Sequence, residues 1–282
     1  NKKKCIWYCS AVVSFLLFLL LLGWTNHLAN TQDAQQMAGR WSEKKDVAQV
    51  SCFFSSKAEV TEDTIQSFEY SLKNVLQEAS ITETSENPGA RLWVDAYSAD
   101  GKITLVNGRN TLDANAIGIG GDFFLFHPLK LITGSYFSGN DLMQDYCIID
   151  QDAAWQLFGS NDVVGMTVYI GNVPHIVTGV VRRPQGRMEK AAGLTSTVVY
   201  VSYDTLEAYG TSNGINHYEI VMPNPVDEFA YGKVKEGIGI DEKNVEIVEN
   251  SRRYSLPNRI KTILAFGTRS MNGKAIIYPY WE

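Results

Sequence analysis

Histidine, cysteine and clustered carboxylates are the side chains best suited to catalysis or metal binding, and in this sequence they are scattered. His27, His127, His175 and His217 are each isolated. None has a second His or Cys at the short spacing that brings two ligands to one ion. His175 lies in an apolar stretch that reads as a hairpin strand, so the expected role is that of a satisfied sheet residue. Asp141, Asp145 and Asp150 could be read as a calcium loop, but their spacing and the missing glutamate do not fit an EF-hand. Turn and cap roles are expected for them. Gly118–Gly121 (GIGG) could be read as a phosphate cradle, which presents its anion to the start of a capped helix. This run instead enters aromatic residues and Pro128, so a turn is expected. No Gly-x-x-x-x-Gly-Lys-Ser/Thr loop, Gly-x-Ser-x-Gly elbow or His-Glu-x-x-His helix occurs. The expectation is a non-enzymatic chain with no catalytic, cofactor-binding or metal-binding residues of its own.

Two further groups have chemical potential. Arg182, Arg183, Arg187 and Lys190 lie in the polar loop RRPQGRMEKAAGLTS (182–196). They either contact anionic headgroups, a partner protein or an acidic peptide, or form a solvated loop. Cys52 and Cys147 sit in apolar, strand-like runs and are either two buried thiols or one bridge, not a disulfide framework. A net charge of −6 and a pI near 5.3 argue against nucleic acid as a partner.

The elements that hold these residues begin with Ile6–Trp24, nineteen uncharged and mostly apolar residues. As a helix they reach roughly 28 Å, close to a bilayer's hydrocarbon thickness. Lys2, Lys3 and Lys4 precede the run, Trp7, Tyr8 and Trp24 lie near its ends, and no Lys or Arg follows until Arg40. The positive-inside rule predicts a cytoplasmic N-terminus and an extracytoplasmic main domain. A cleaved secretory signal is the competing reading, although the apolar run is long for one and its cleavage candidate near Ala29 is poor.

Residues 25–45 read as a short stalk or connector. Val47–Phe54 reads as a strand, and Thr61 caps a helix to about Ala79, with a stripe of Ile65, Phe68, Leu72, Val75, Leu76 and Ala79. Arg91–Tyr97 and Lys102–Val106 read as two strands joined by a turn at Asp100–Gly101. Tyr146–Ile149 leads into a helix capped by Asp150 and ended by Gly159. Met166–Ile170 and His175–Val181 form a hairpin around Gly171–Asn172. Tyr218–Met222 is a strand, Asn224 and Pro225 open a helix, and Val245–Val248 is the next strand. A helix from near Pro257, with Ile260, Ile263, Leu264 and Phe266 on its apolar face, precedes the aromatic end YPYWE. That end is expected to lead to a second membrane helix.

Strand–helix–strand units near both ends, with strand-rich material between them, predict an α+β chain. An N-terminal transmembrane helix precedes the ectodomain, where both ends complete a small α/β sandwich around an inserted β-rich lobe. The expected divisions are 1–5 cytoplasmic stub, 6–24 transmembrane helix, 25–45 stalk or connector, 46–110 and 197–251 α/β lobe, 111–196 inserted β-rich lobe, and 252–282 amphipathic exit.

GDFFLFHPLKLITGSYFSGND (121–141) and CIIDQDAAWQLFGSNDVVGMTVYIGNVPHIVTGVV (147–181) resemble the MacB-like periplasmic core domain of ABC transporter permeases of the MacB and FtsX type. The resemblance rests on the Phe-rich segment, on Leu157-Phe158-Gly159, Asp162, Gly165 and Val168, and on Val177 to Val180. It implies structural roles for Phe123, Phe124, Gly134, Phe137, Leu157, Phe158, Gly159, Gly165 and Gly179. It also implies a two-lobed extracytoplasmic domain between two membrane helices, its α/β lobe (46–110 and 197–251) porter-like and its inserted lobe β-rich, a homodimer or heterodimer of permease subunits, and ATP bound by a separate cytoplasmic ATPase. The 182–196 loop departs from the family pattern, and no contact is carried over to it. The alternative is a stand-alone membrane-anchored binding module.

Overall fold

The computed structural model describes residues 2–42, 46–82, 90–183, 185–187, 191, 196–265, 271 and 273–276. Helix α1 (Lys2–Asn30) contains 25 residues, Ile6–Asn30, long and apolar enough to cross a membrane. It continues past the expected end at Trp24. A 3-10 turn (Asp33–Gln36) and α2 (Met37–Trp41) follow. These residues are not a free stalk, since Ala29, Ala34, Gln35, Met37 and Ala38 are buried.

Among the described residues, eleven strands form one sheet. They are β1 (Val47–Phe54), β2 (Val94–Asn107), β3 (Asn110–Gly121), β4 (Leu131–Gly134), β5 (Tyr146–Asp150) and β6 (Thr167–Ile170). After them come β7 (Val173–Val181), β8 (Val198–Ser202), β9 (Thr211–Ser212), β10 (His217–Pro223) and β11 (Val245–Glu249). The other α-helices among the described residues are α3 (Glu62–Glu78), α4 (Phe123–Phe126), α5 (Gln151–Phe158), α6 (Tyr203–Tyr209), α7 (Phe229–Gly237), α8 (Asn250–Arg253) and α9 (Leu256–Ala265).

The first and last parts of the chain build a split βαβ layer. Its order is β11-β1-β10-β2, every neighbouring pair antiparallel, with α3 and α7 on one face. The β2–β3 hairpin then continues through β8, β5, β7 and β6, and β6 pairs back onto β2. That closure makes a ring of six strands and leaves those edges protected. The division expected at 110/111 falls at the head of this hairpin, and β2 serves both the layer and the ring.

Asp100–Gly101 is not a turn; β2 runs unbroken through it. The reason is non-local. On its edge away from β3, β2 meets β10 at 94–98, β9 at Gly101–Lys102, and β6 at Leu105–Val106. Gly101 is needed because a Cβ there would lie 2.4 Å from the Thr211 carbonyl. GIGG is likewise strand, the end of β3, and the Tyr97 ring lies across Gly120 where any Cβ would stand.

Local signals elsewhere lead to the expected elements. On α3, Ile65, Phe68, Leu72 and Leu76 are buried in the core that also holds Tyr218, Ile220 and Met222 of β10, and the Phe68 ring meets the Tyr218 ring edge to face. Asp150 Oδ1 accepts from Ala153 N (2.8 Å) at the start of α5, and Gly159 ends that helix at φ 74°. Gly171 and Asn172 both have positive φ, as a tight two-residue hairpin requires. The helix expected from Asn224 starts later, at Phe229. Asn224 still caps it from a distance, Oδ1 accepting from Ala230 N (3.0 Å). Phe266 and YPYWE lie outside the described residues.

Between α3 and the sheet, Glu69 hydrogen-bonds Asp95, which also accepts from the Tyr218 hydroxyl (2.9 Å). Burial, then the charge of Asp95, pushes the Glu69 carboxyl up to about 8 from its ordinary 4.5. The folded value lies above the unfolded one. The folded protein therefore holds the extra proton in that window, and its contribution to stability falls as pH rises from 4.5 to 8. Glu69→Gln, always neutral, is expected to gain on the parent as pH rises from about 5 to 8. Urea midpoints across that range check it; a constant offset between the two proteins would refute it.

Candidate functional site

Strand alternation divides the split βαβ layer into two faces. One carries Ala48, Val50, Cys52, Tyr218, Ile220 and Met222 and packs under α3 and α7. Both Cys52 and Cys147 are buried free thiols, and burial pushes Cys147 up to about 12. The other face carries Gln49, Ser51 and Phe53 of β1 opposite Val221, Glu219 and His217 of β10. Four of those six side chains are polar, and all six are buried.

Glu219 is the hub. Its Oε1 accepts from Ser51 Oγ (2.9 Å) and Gln49 Nε2 (3.2 Å), and its Oε2 lies 2.5 Å from His127 Nε2. Burial pushes the Glu219 carboxyl up from its ordinary value and the His217 imidazole down to about 4. Gln49 extends the network in both directions. Its Oε1 accepts from Met37 N (2.8 Å), its Nε2 donates to the Ala34 carbonyl (2.7 Å), and its own N donates to Ser251 Oγ (2.8 Å). Asn250 Nδ2 donates to Ser51 Oγ (2.7 Å).

The cover over this face comes from three distant parts of the chain. The 3-10 turn and α2 follow the membrane helix, α8 leads to the exit helix, and α4 belongs to the strand-rich middle. Phe123, Phe124 and Phe126 of α4 pack with Met37, Ala38, Val94, Ala96, Ile117, Ile119, Tyr200 and Val221, so one short helix touches both the layer and the ring. Full burial of each ring contributes on the order of 1.5–3 kcal/mol. Arg40 of α2 fastens it, its Nη2 donating to the carbonyls of Leu125 (2.8 Å) and Phe126 (3.2 Å). Beyond the cover, Arg259 of α9 donates to Thr25 Oγ1 (3.0 Å) and Asn26 Oδ1 (2.8 Å) of α1. A polar cleft of about 690 Å³ lies beside this contact, lined in part by Asn26, Gln35, Asn250, Tyr254 and Arg259.

The histidines are therefore not all isolated. His127 and His217 stand with Glu219, their ligating atoms within 4.8 Å of one another. Linear spacing hid this, because 92 residues separate His127 from Glu219. One local signal existed: in His217-Tyr218-Glu219, a period of two puts the outer pair on one strand face. His175 is held in the sheet by Val173 O and Thr205 Oγ1.

The basic loop divides. Arg182 is exposed, and so is Arg187; Lys190 lies outside the described residues. Arg183 turns inward and donates to Asp150 Oδ2 through Nε (3.2 Å) and Nη2 (2.8 Å), to Thr197 Oγ1 (3.0 Å), and pairs with Asp152 (2.6 Å). Asp150 thus joins a helix cap, Arg183 and the N–H of Val198. Of the residues the resemblance singled out, Phe123, Phe124, Phe137 and Leu157 are buried and Phe158 packs at the core's margin. Gly134 has positive φ and leaves no room for a Cβ against the Thr178 carbonyl. Gly159 ends α5, Gly165 precedes β6, and Gly179 pairs with Gly134.

The model of the MacB-like periplasmic core domain matches residues 13–247, most of the chain. The chain belongs to that family. The macrolide export ATP-binding/permease protein MacB of Pasteurella multocida is 31% identical over 133 residues, covering 46% of this chain and 20% of the relative. MacB of Neisseria gonorrhoeae is 35% identical over 91 residues, covering 31% and 14%. The chain thus spans a fifth or less of these relatives' length. Among solved structures, the periplasmic region of MacB from Actinobacillus actinomycetemcomitans superposes with a TM-score of 0.46 at 19% identity, covering 77% of this chain and 92% of that one. The extracellular domain of the noncanonic ABC-type transporter YknZ from Gram-positive bacteria gives 0.44 at 17% identity, covering 71% and 99%.

Within this family domain, the neighbours Arg182 and Arg183 should behave differently. Arg183→Ala leaves Asp150 and its cap short of a cation in a largely buried place, and is expected to cost roughly 2–4 kcal/mol. Arg182→Ala at an exposed site should stay within about 0.5 kcal/mol. Denaturant midpoints of the two variants check this; equal effects would contradict it.

Proposed function

We propose that this chain is the extracytoplasmic domain of an ABC-type permease. It carries motion between the membrane and the space outside and performs no chemistry of its own. The orientation follows the positive-inside pattern: Lys2, Lys3 and Lys4 in the cytoplasm and the sheet outside. ATP is bound and hydrolysed by a separate cytoplasmic partner, and two permease subunits, identical or different, form the transporter. Export, lipoprotein handling and signal relay are the processes such a domain serves.

The observation that carries this reading is the position of Gln49. One side chain and its backbone hold the segment leaving the membrane helix, the segment leading to the exit helix, and the Glu219 hub. Displacement of either membrane segment therefore pulls on the same sheet face, and through His127 on the Phe-rich helix that bridges layer and ring. The polar cleft between the segments leaves them room to shift, while the Arg259 contact links them. Rigid-body shifts of packed elements of this kind are a recurring way to transmit a distant event.

Spin labels at Ile260→Cys in α9 and Tyr169→Cys in β6, both exposed positions, test the proposal in the assembled transporter. Trapping the ATPase with vanadate should shift the distance distribution between them. In an Arg259→Glu background ATP turnover should persist while the shift shrinks. A distribution unchanged by nucleotide in the parent would overturn the proposal.

A further inference from the structure

The structure assigns a buried metal site, of the zinc type, to His127, His217 and Glu219. This inference rests on the site's own geometry and is independent of the transport reading.

Two imidazoles and one carboxylate are a donor set that binds zinc and similar first-row divalent ions. The three ligating atoms lie within 4.8 Å of one another, and all three residues are buried. Tetrahedral zinc with bonds of about 2.0–2.2 Å holds its ligand atoms roughly 3.4 Å apart. The separations here, from 2.5 Å for His127 Nε2 to Glu219 Oε2 up to 4.8 Å, bracket that value. Admitting an ion requires the His127–Glu219 pair to part by roughly 1 Å. The backbone is already placed: Glu219 and His217 stand two apart on one strand, and His127 ends the short helix that Arg40 fastens over them.

The surroundings match what a metal ligand needs. Ser51 and Gln49 both donate to Oε1, which orients the carboxylate and leaves Oε2 toward the histidines. Such outer contacts are what fix ligands in metal sites. Phe53 stacks on His217 (4.8 Å between centroids) and Phe123 lies against His127 (4.6 Å), setting both ring planes. A buried carboxylate is costly unless matched by positive charge. Glu219 pairs directly with His127, and the nearby Arg40, whose charge also reaches Glu219, is hydrogen-bonded to the Leu125 and Phe126 carbonyls. A divalent ion supplies that charge with the histidines neutral. Because His127 comes from the strand-rich middle and the other two ligands from β10, the ion would staple α4 to the layer.

The test uses the full chain in detergent, in a Cys5→Ser/Cys9→Ser/His27→Gln background that removes competing donors near the membrane helix. After stripping with a chelator, the protein is given Zn²⁺ against a chromophoric competitor, and bound metal is measured by mass spectrometry. One zinc per chain is expected, retained through gel filtration, with a rise in Tm. Co²⁺ in its place should give the visible bands of a tetrahedral ion. His127→Gln and His217→Gln should each lose stoichiometric binding, whereas His175→Gln and Cys52→Ser should keep it. The parent failing to bind metal would overturn the site and leave a plain His–Glu hydrogen bond. Binding that survives in the His127→Gln/His217→Gln double variant would overturn it equally. Parent binding is measured without any core substitution, so misfolding of a variant cannot decide the outcome.

Discussion

A fourteen-residue strand has two edges of backbone donors and acceptors, and burying β2 obliges both to be satisfied. The later elements are placed by that demand. β3 takes one edge along its whole length, and the other is divided among β10, β9 and β6. The part of β2 that pairs with β10 belongs to the split βαβ layer, and the part that pairs with β6 closes the ring. The two lobes are not beads on a string; they share a beam. No loose linker joins them at that strand, and α4 braces the same joint from outside.

The second constraint is a sheet face that carries charge and amide groups yet lies buried. Such a face is stable only while its cover completes the hydrogen bonds. The cover here is made of the segment that follows helix α1 and the segment that leads to α9, together with the Phe-rich helix. Polar contacts of this sort exchange for water at modest net cost, because water can replace each partner. An oily interface offers no such exchange. A cover held by Gln49, Ser51, Asn250 and Glu219 over a rim of phenylalanines combines fixed registry with the capacity to part.

The elements legible in the sequence are those whose signals are local. Val47–Phe54, the α3 stripe, the Asp150 cap, the Gly171–Asn172 hairpin and the membrane helix each carry their cause within a few residues. What was not legible was decided at long range. Asp100–Gly101 has the composition of a turn, but partners from residues 211 and 217 onward hold it extended. Gly118–Gly121 has the composition of a turn, but it runs as strand, and the bare Gly120 makes room for Tyr97. The Glu219 site was hidden for the same reason: no residue in it is close in sequence to a member from another element. Arg183 was indistinguishable from Arg182 until the sheet brought Asp150 beside it.

The pairing of β1 carries a consequence for biogenesis. Both of its neighbours, β10 and β11, are synthesised late; 170 residues separate Gln49 from Glu219. During synthesis the apolar strand VAQVSCFF emerges soon after the membrane helix and waits with both edges open. Non-local pairings of this kind fold slowly and expose strand edges meanwhile. The ring between β3 and β8 can close earlier, so the strand-rich middle is the natural first unit to fold, and the layer that meets the membrane is completed last. The same late closure leaves β1 with two unpaired edges until nearly the whole domain has been made.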